Sequence, residues 1–497
     1  MSALKTDVQY EVIIGLEVHA QLLTRSKMFC PCSTDYVNAP PNSHVCPVCL
    51  GMPGVLPVIN RQAVEFTIMT GLALSCEVPS AAKFDRKNYP YPDLMKGYQI
   101  SEYDMPLCQR GFLEVDVDGE AKRIGITRVH LEEDVAKLLH RRNEAGESYS
   151  LIDVNRSGVP LMEIVSEPDM RSPEEAPAYL MELRQILQYL GVSAGNMEEG
   201  NFRCDANVSI RPLGTRELLG KVEVKNMNSF RAVYRALAYE VERQKEVLAQ
   251  GGRIVQETRG WVEELGQTIP QRTKEYAHDY RYFPEPDLAP MHISPEWVEE
   301  IRQRLPELPA QRRQRFQREY GLSPYEAALL TETRARAEFF EATLQHLADQ
   351  QGPKAAKAVS NWMLGDVARL LNEAGQELEP GRAGRLTPKH VAEVAVAVDT
   401  GQINTVTAKT LLGDAFRTGQ EIGQMLAQRG LTQISDEAAL AAVVDQVIAA
   451  NPKAAADYRF GKAEALKFLI GQVMRETRGR AHPGLAGDLL ERRLGGA

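Results

Sequence analysis

Long apolar runs are missing from this 497-residue chain: no uninterrupted apolar stretch reaches the roughly 18 residues that a bilayer-crossing helix needs. The segment from Met1 to Gln9 is short, mixed in charge and without the apolar stretch of a secretion signal. The expectation is a cytoplasmic protein with no membrane partner. Basic charge is not in excess either. The 58 Lys and Arg stand against 67 Asp and Glu, a formal net charge of −9. That excludes a surface coated in basic charge for nucleic acid, while a local patch remains open. Common fingerprints are absent too: no G-x-x-x-x-G-K-[ST] loop, no G-x-G-x-x-G after a strand, no G-x-S-x-G elbow. A nucleotide bound here must sit in a site of another kind. Cysteine is sparse and odd in number, seven in all, which argues against a disulfide framework.

What is present is ordinary in bulk, 43% hydrophobic and 25% charged, and long enough for roughly two to four domains. Residues 1 to about 290 read as short strands with a few helices. From about 294 onward the pattern is almost all helix. The change falls at the rigid passage from Pro284 to Pro290. Val12, Ile14, Leu16 and Val18 alternate with Glu11, Ile13, Gly15, Glu17 and His19. Phe202 to Ile210 and Lys221 to Lys225 show the same period of two. Each strand therefore has one apolar and one largely polar face, as in a mostly antiparallel sheet packed on one side only. Ser172, Pro173 and Glu175 read as a capping box opening a helix that ends at Gly191. A second helix is expected from Asn228–Ser229 to Gly251–Gly252. Ser294, Ser323, Thr387 and Ser435 read as further helix starts. The fold class expected is α+β: a sheet domain over 1–293, a helical domain over 294–408 and a small helical tail over 409–497.

Four of the seven cysteines cluster. Cys30-x-Cys32, thirteen residues, then Cys46-x-x-Cys49 suits a tetrahedral thiolate zinc site. Four thiolates close the shell, so the zinc would be structural; His44 is the alternative ligand. A second grouping is acidic. Glu17 and His19 lie two apart on one strand, on the same face and roughly 6–7 Å apart. His130-Leu131-Glu132-Glu133-Asp134 ends another strand, and Glu163 and Asp205 lie on polar faces. Carboxylates gathered on one surface suit Mg²⁺ with a nucleotide; scattered surface acids are the competing reading. The run from Phe84 to Asp93 reads as a proline-stiffened loop presenting side chains to phosphate or a base, or as a plain structural turn. Lys274 to Pro284, rich in aromatics, reads the same two ways. From Asn451 to Ala497 nine Lys and Arg face five Asp and Glu, a solvated helical face or a basic patch.

Taken together these residues resemble the B subunit of the tRNA-dependent amidotransferases, the GatB family. The matching text includes Gly15 to Leu22, Cys46 to Val58, Arg86 to Asp93, Asp153 to Val165, Phe202 to Ser209, Glu223 to Phe230 and His278 to Leu288. The resemblance covers essentially the whole chain, and its C-terminal region is similar to the family's YqeY-like tail. It implies a cradle domain, a helical domain and a tail that work with two further subunits, an amidase (A) and a small one (C). It implies an ATP-dependent carbon–nitrogen ligase with glutamine as amido donor. The carboxylate of Glu-tRNA(Gln), Asp-tRNA(Asn) or both would be phosphorylated and then displaced by ammonia. It also implies a magnesium site at Glu17, His19, Glu132 and Glu163, with Glu133 the alternative to Glu132 and Asp205 in a supporting catalytic role. Lys87, Arg156 and Lys225 become candidates for phosphate contact, and Asn88, Asn155 and Asn226 for positioning the nucleotide or the acyl end. Cys30, Cys32, Cys46 and Cys49 match the family's zinc motif. Arg459, Lys462, Lys467, Arg475, Arg478 and Arg480 become a candidate tRNA surface.

Overall fold

The computed structural model describes residues 9–273, 280–347, 352–429, 437–477, 481 and 483–495. The chain packs into two compact units, divided between Leu308 and Pro309. The first unit begins with β1 (Tyr10–Gln21), α1 (Arg61–Ala73), β2 (Ala81–Ala82), β3 (Asp85–Asn88), β4 (Tyr98–Ser101), β5 (Cys108–Val117) and β6 (Glu120–Glu133). It continues through β7 (Lys137–Arg142), β8 (Ser148–Asp153), β9 (Pro160–Ser166), α2 (Glu175–Leu190), β10 (Phe202–Pro212), β11 (Val222–Lys225) and α3 (Phe230–Ala249). It closes with β12 (Glu257–Val262), β13 (Gln267–Thr273), β14 (Phe283–Pro284), β15 (Met291–His292) and α4 (Pro295–Gln303).

Eight strands form one sheet in the order β13-β12-β11-β10-β1-β9-β6-β5. Neighbours run antiparallel except β11 and β12, which run parallel. The alternation read from the sequence decides which face is buried. Leu16, Val18, Ile164, Leu131, Ala206 and Val208 enter one apolar core with Val64 and Ile68 of α1, Leu180 and Leu183 of α2, and Val233 and Leu237 of α3. The opposite face keeps the charged residues. Three smaller pairings accompany the sheet among the described residues: the three-stranded β14-β3-β4, the pair β15-β2 and the hairpin β7-β8.

Local signals mostly act as expected. Gly191 ends α2 in the left-handed conformation at φ 69°, which costs glycine little. Ser229 caps α3 by accepting from the Ala232 N–H. The capping box expected at Ser172 does not form. Helix α2 begins at Glu175, whose carboxylate instead accepts from the Arg171 N–H at 2.9 Å and pairs with Lys122 of β6. The run expected to be a loop from Phe84 is a strand over Asp85–Asn88, because β4 and β14 supply its hydrogen-bond partners.

The second unit is helical. Helices α5 (Pro309–Tyr320), α6 (Pro324–Leu330), α7 (Arg334–Gln345), α8 (Pro353–Trp362), α9 (Ala368–Ala374), α10 (Pro388–Asp399), α11 (Thr405–Thr418) and α12 (Ile422–Arg429) share one core around Phe316, Phe339, Phe340, Val391 and Leu411. Helices α13 (Glu437–Ala450), α14 (Pro452–Arg459), α15 (Ala463–Glu476) and α16 (Pro483–Gly495) share a second around Leu440, Val444, Leu469, Val473 and Leu490. Ser323 and Glu326 form the full capping box that opens α6. The start signal at Ser435 lies outside the described residues.

Glu102, just past β4, is 2% exposed. Its Oε2 accepts from the backbone N–H groups of Leu107 at 3.0 Å and Leu131 at 3.3 Å, while Oε1 has no partner. Burial pushes its carboxyl up from 4.5 to about 8, the two N–H donors opposing the shift. Between those values the folded chain holds a proton that the unfolded chain has released. Stability from this group therefore falls as pH rises from 4.5 to about 8. Glu102→Gln should be at least as stable as the wild type at pH 8, with the difference shrinking toward pH 5; thermal midpoints across that range check it.

Candidate functional site

Antiparallel register carries the polar side chains of successive strands into one strip. On β1, Glu17 stands opposite Asp205 of β10, and His19 stands opposite Arg203 of β10 and Glu163 of β9. Glu163 in turn stands opposite His130 of β6. Residues two apart share a face, so Glu132 joins His130, and Asn207 joins Arg203 and Asp205.

The tightest group is His19, Glu132 and Glu163, one ligand atom from each lying within 4.8 Å of the others. His19 Nε2 is 3.7 Å from Glu132 Oε1 and 3.7 Å from Glu163 Oε2. A cation with oxygen ligands at about 2.1 Å holds those ligands roughly 3–4 Å apart, so the donor set fits Mg²⁺, although an imidazole is a less usual ligand for it. Both carboxylates are nearly buried, at 2% and 7% exposure. His130 Nε2 lies 3.1 Å from Glu163 Oε2, and Ser101 Oγ donates to Glu132 Oε2 at 3.2 Å. Burial works against ionisation of Glu163, yet His130, His19 and Lys87 outweigh it and hold the carboxyl well below its ordinary range.

Lys87 arrives from the small β14-β3-β4 sheet. Burial disfavours its charge, but Glu132 and Glu163 overcome that and raise the ammonium above its usual range. Lys225 behaves likewise, opposed by burial and raised by Asp205 and Glu223; its Nζ lies 2.5 Å from Asp205 Oδ2. Glu17 stands outside the tight group and accepts from Asn207 Nδ2 at 2.8 Å. Glu133 does not share the strip: it pairs with Lys96 and accepts from the Ile100 N–H at 3.0 Å, which leaves Glu132 in the group.

Two other candidates, Arg156 and Asn155, bond to neighbouring structure. Arg156 donates to the carbonyls of Val135 at 2.9 Å and Ala136 at 3.1 Å and lies 3.6 Å from Asp134. Asn155, 1% exposed, donates to Pro40 O and accepts from the His44 N–H, fastening the cysteine loop. Asn88 donates to the Arg281 carbonyl at 3.0 Å, and Asn226 is exposed at φ 65° beside Lys225. Asp134, 2% exposed, joins Gln21 of β1 at 2.7 Å and Arg203 of β10 at 3.1 Å to the turn carrying Arg156. His130 and Arg203 are site residues that the sequence reading left without a role. Each lies two residues before an acid that was chosen, on the same strand face, and that spacing was the available signal.

Cys30, Cys32, Cys46 and Cys49 each place a sulfur within 4.8 Å of the others, and all four are free thiols. The Cys46 and Cys49 sulfurs are 3.9 Å apart. A zinc tetrahedron with bonds of about 2.3 Å has edges of about 3.8 Å, so the set fits zinc. Cys49 is pulled down to about 4, first by the hydrogen bond from Cys30, with the Cys46 N–H and nearby Lys27 adding to it. The His44 ring lies toward the Ser33 carbonyl, at 3.4 Å, and is not part of the group.

In the C-terminal helices Arg459, Lys462, Lys467 and Arg475 are exposed, as are Phe460 and Phe468. Lys462 pairs with Asp457 at 2.9 Å. Arg478 and Arg480 lie outside the described residues, as does most of the Lys274 to Pro284 run.

Residues 12–299 match the model of the GatB/GatE catalytic domain, and residues 338–494 match that of the GatB domain. A protein of Thermomicrobium roseum is 58% identical over 489 residues, covering 98% of this chain and 99% of that one. Proteins of Dehalococcoides mccartyi strain CBDB1 and Carboxydothermus hydrogenoformans are 57% and 54% identical over 488 and 486 residues, at the same coverage. All three carry the name of the B subunit of aspartyl/glutamyl-tRNA(Asn/Gln) amidotransferase.

Metal analysis of the purified chain should find about one zinc per molecule, and Cys46→Ser with Cys49→Ser should remove it and lower the thermal midpoint.

Proposed function

The chain belongs to the GatB/GatE family, and on that footing we propose that the polar strip of its sheet binds ATP with Mg²⁺ and activates the side-chain carboxylate of a misacylated tRNA. It is a subunit of a tRNA-dependent amidotransferase. The observation that carries the reading is the nearly buried group of His19, Glu132 and Glu163 with the Lys87 ammonium held against it. A carboxylate is a poor electrophile, because its leaving group would be oxide. In the step proposed, a carboxylate oxygen of the aminoacyl side chain bonds to the γ-phosphorus of ATP, and the bond to ADP breaks. Ammonia then bonds to the acyl carbon, phosphate leaves, and a proton is released.

His19, Glu132 and Glu163 would hold the magnesium, with Glu17 and Asp205 next along the strip. When bound, the ion neutralises charge on the transferring group. Lys87 and Lys225 place fixed positive charge beside the strip, where it opposes the charge that develops on oxygen. Arg156 acts through Asp134, keeping the edge of the strip in place, and Asn155 acts through the cysteine loop. Asn88 and Asn226 flank Lys87 and Lys225 and orient the nucleotide or the acyl end.

Ammonia would come from glutamine through an amidase, the A subunit, with a small third chain, the C subunit, making up a heterotrimer. The substrate is Glu-tRNA(Gln), Asp-tRNA(Asn) or both. The exposed basic and aromatic residues of 409–497, including Arg459, Lys462, Lys467 and Arg475, fit a tRNA backbone. The zinc site would hold the cysteine loop rather than act on substrate. The setting is the cytoplasm; no described helix is long and apolar enough to cross a membrane.

With its partners present, ATP cleavage should require both this chain and misacylated tRNA. Glu132→Gln and Glu163→Gln should each reduce cleavage about a hundredfold or more, while tRNA binding by filter retention survives. Cleavage that ignores the acyl group would assign the chemistry to a partner and leave this chain a tRNA-binding scaffold.

A further inference from the structure

A row of tyrosines beside the strip has no part in the activation chemistry. Lys87 Nζ lies 5.9 Å from the ring centre of Tyr89 and 5.1 Å from that of Tyr280. Tyr89 meets Tyr280 edge-on at 5.9 Å, and Tyr280 meets Tyr282 edge-on at 6.1 Å. Tyr282 then lies flat against Tyr103, with centres 4.2 Å apart and planes 8° from parallel. The row thus runs from the ammonium that faces Glu132 and Glu163 to a ring that is 43% exposed. Tyr103 is not a loose surface ring. Its backbone N–H donates to Asp85 Oδ2 at 3.2 Å, and Asp85, 1% exposed, is paired with Lys83 at 2.5 Å.

The inner members of this row meet edge-on and the outer pair is stacked, both favoured aromatic geometries. A fixed parallel pair whose outer ring stays open to solvent has the form of a stacking platform, and every nucleobase has a π-face to lay on it. We propose that the Tyr103–Tyr282 pair receives the adenine ring of ATP, with the phosphates directed along the row toward Lys87 and the His19, Glu132 and Glu163 group. The assignment rests on the ATP reading above. The tRNA is the weaker claimant, because it gains affinity from many phosphates over a wide surface. A free nucleotide has one base and one phosphate chain, and needs an anchor at each end. The row offers those two anchors in that order.

In the assembled amidotransferase, ATP cleavage is measured while ATP is varied at saturating misacylated tRNA, and then the reverse. Tyr103→Ala should raise the KM for ATP by about tenfold or more and leave the KM for tRNA unchanged. Tyr103→Phe and Tyr103→Trp, which keep an aromatic face, should restore the wild-type KM for ATP. An unchanged KM for ATP in Tyr103→Ala overturns the assignment. So does a raised KM for tRNA alone, which would put the terminal adenosine on the platform, or an equal loss in the aromatic variants. Wild-type complex that cleaves no ATP with misacylated tRNA defeats the ATP reading itself, before any variant is compared.

Discussion

Two nearly buried carboxylates, Glu132 and Glu163, face one imidazole, and the rest of the site is arranged around their repulsion. Acids so placed would ordinarily take up protons. Here the imidazoles of His19 on β1 and His130 on β6 and the Lys87 ammonium from a separate sheet converge on them and hold the Glu163 carboxyl well below its ordinary range. This explains why the small sheet is needed. Without β4 and β14 to pair with it, the segment carrying Lys87 would have no fixed position. The same β4 supplies Ser101, which donates to Glu132. On the reading proposed above, a divalent ion would add positive charge at the point where the carboxylates meet.

The large sheet separates two tasks by parity. Odd positions of β1, such as Glu17 and His19, face the strip, and even positions, such as Leu16 and Val18, enter the core. A slip of one residue would bury charge and expose apolar surface together, so the core that stabilises the fold also fixes the register of the site. Asp134 strengthens this from the side, tying β1, β10 and the Arg156 turn together through a single carboxylate.

The parts legible in the sequence were those set by short-range rules. Alternation on β1 and β10 revealed which residues share a face, and the cysteine spacing brought out the four sulfurs. The α+β class followed from the change to helical periodicity near Pro284–Pro290. What was not legible depends on partners far along the chain. Pro90 and Pro92 suggested a loop around Lys87, but strand pairing with residues 98–101 and 283–284 decides otherwise. The family resemblance implied a phosphate contact for Arg156 and a role for Asn155 in positioning the nucleotide or the acyl end. Their hydrogen bonds go instead to the backbone of residues 40, 44, 135 and 136, which no local pattern discloses. At Ser172 a valid capping signal lost to a lysine on β6 that offered Glu175 a better partner.

The position of β1 has a consequence for synthesis. It comes earliest among the described strands, yet its neighbours are β9 and β10, the latter ending at Pro212. At about 5–20 residues per second, the nascent strand waits roughly 10–40 s before both edges are covered. Through that interval its unpaired backbone edges are an open template for pairing with other chains, and its apolar face lies bare beside them. Glu11 and Glu17 put charge on the opposite face of the same strand, as gatekeepers do beside apolar segments. Glu17, which later stands in the strip, would thus also oppose pairing of the newborn strand with other chains until the sheet closes.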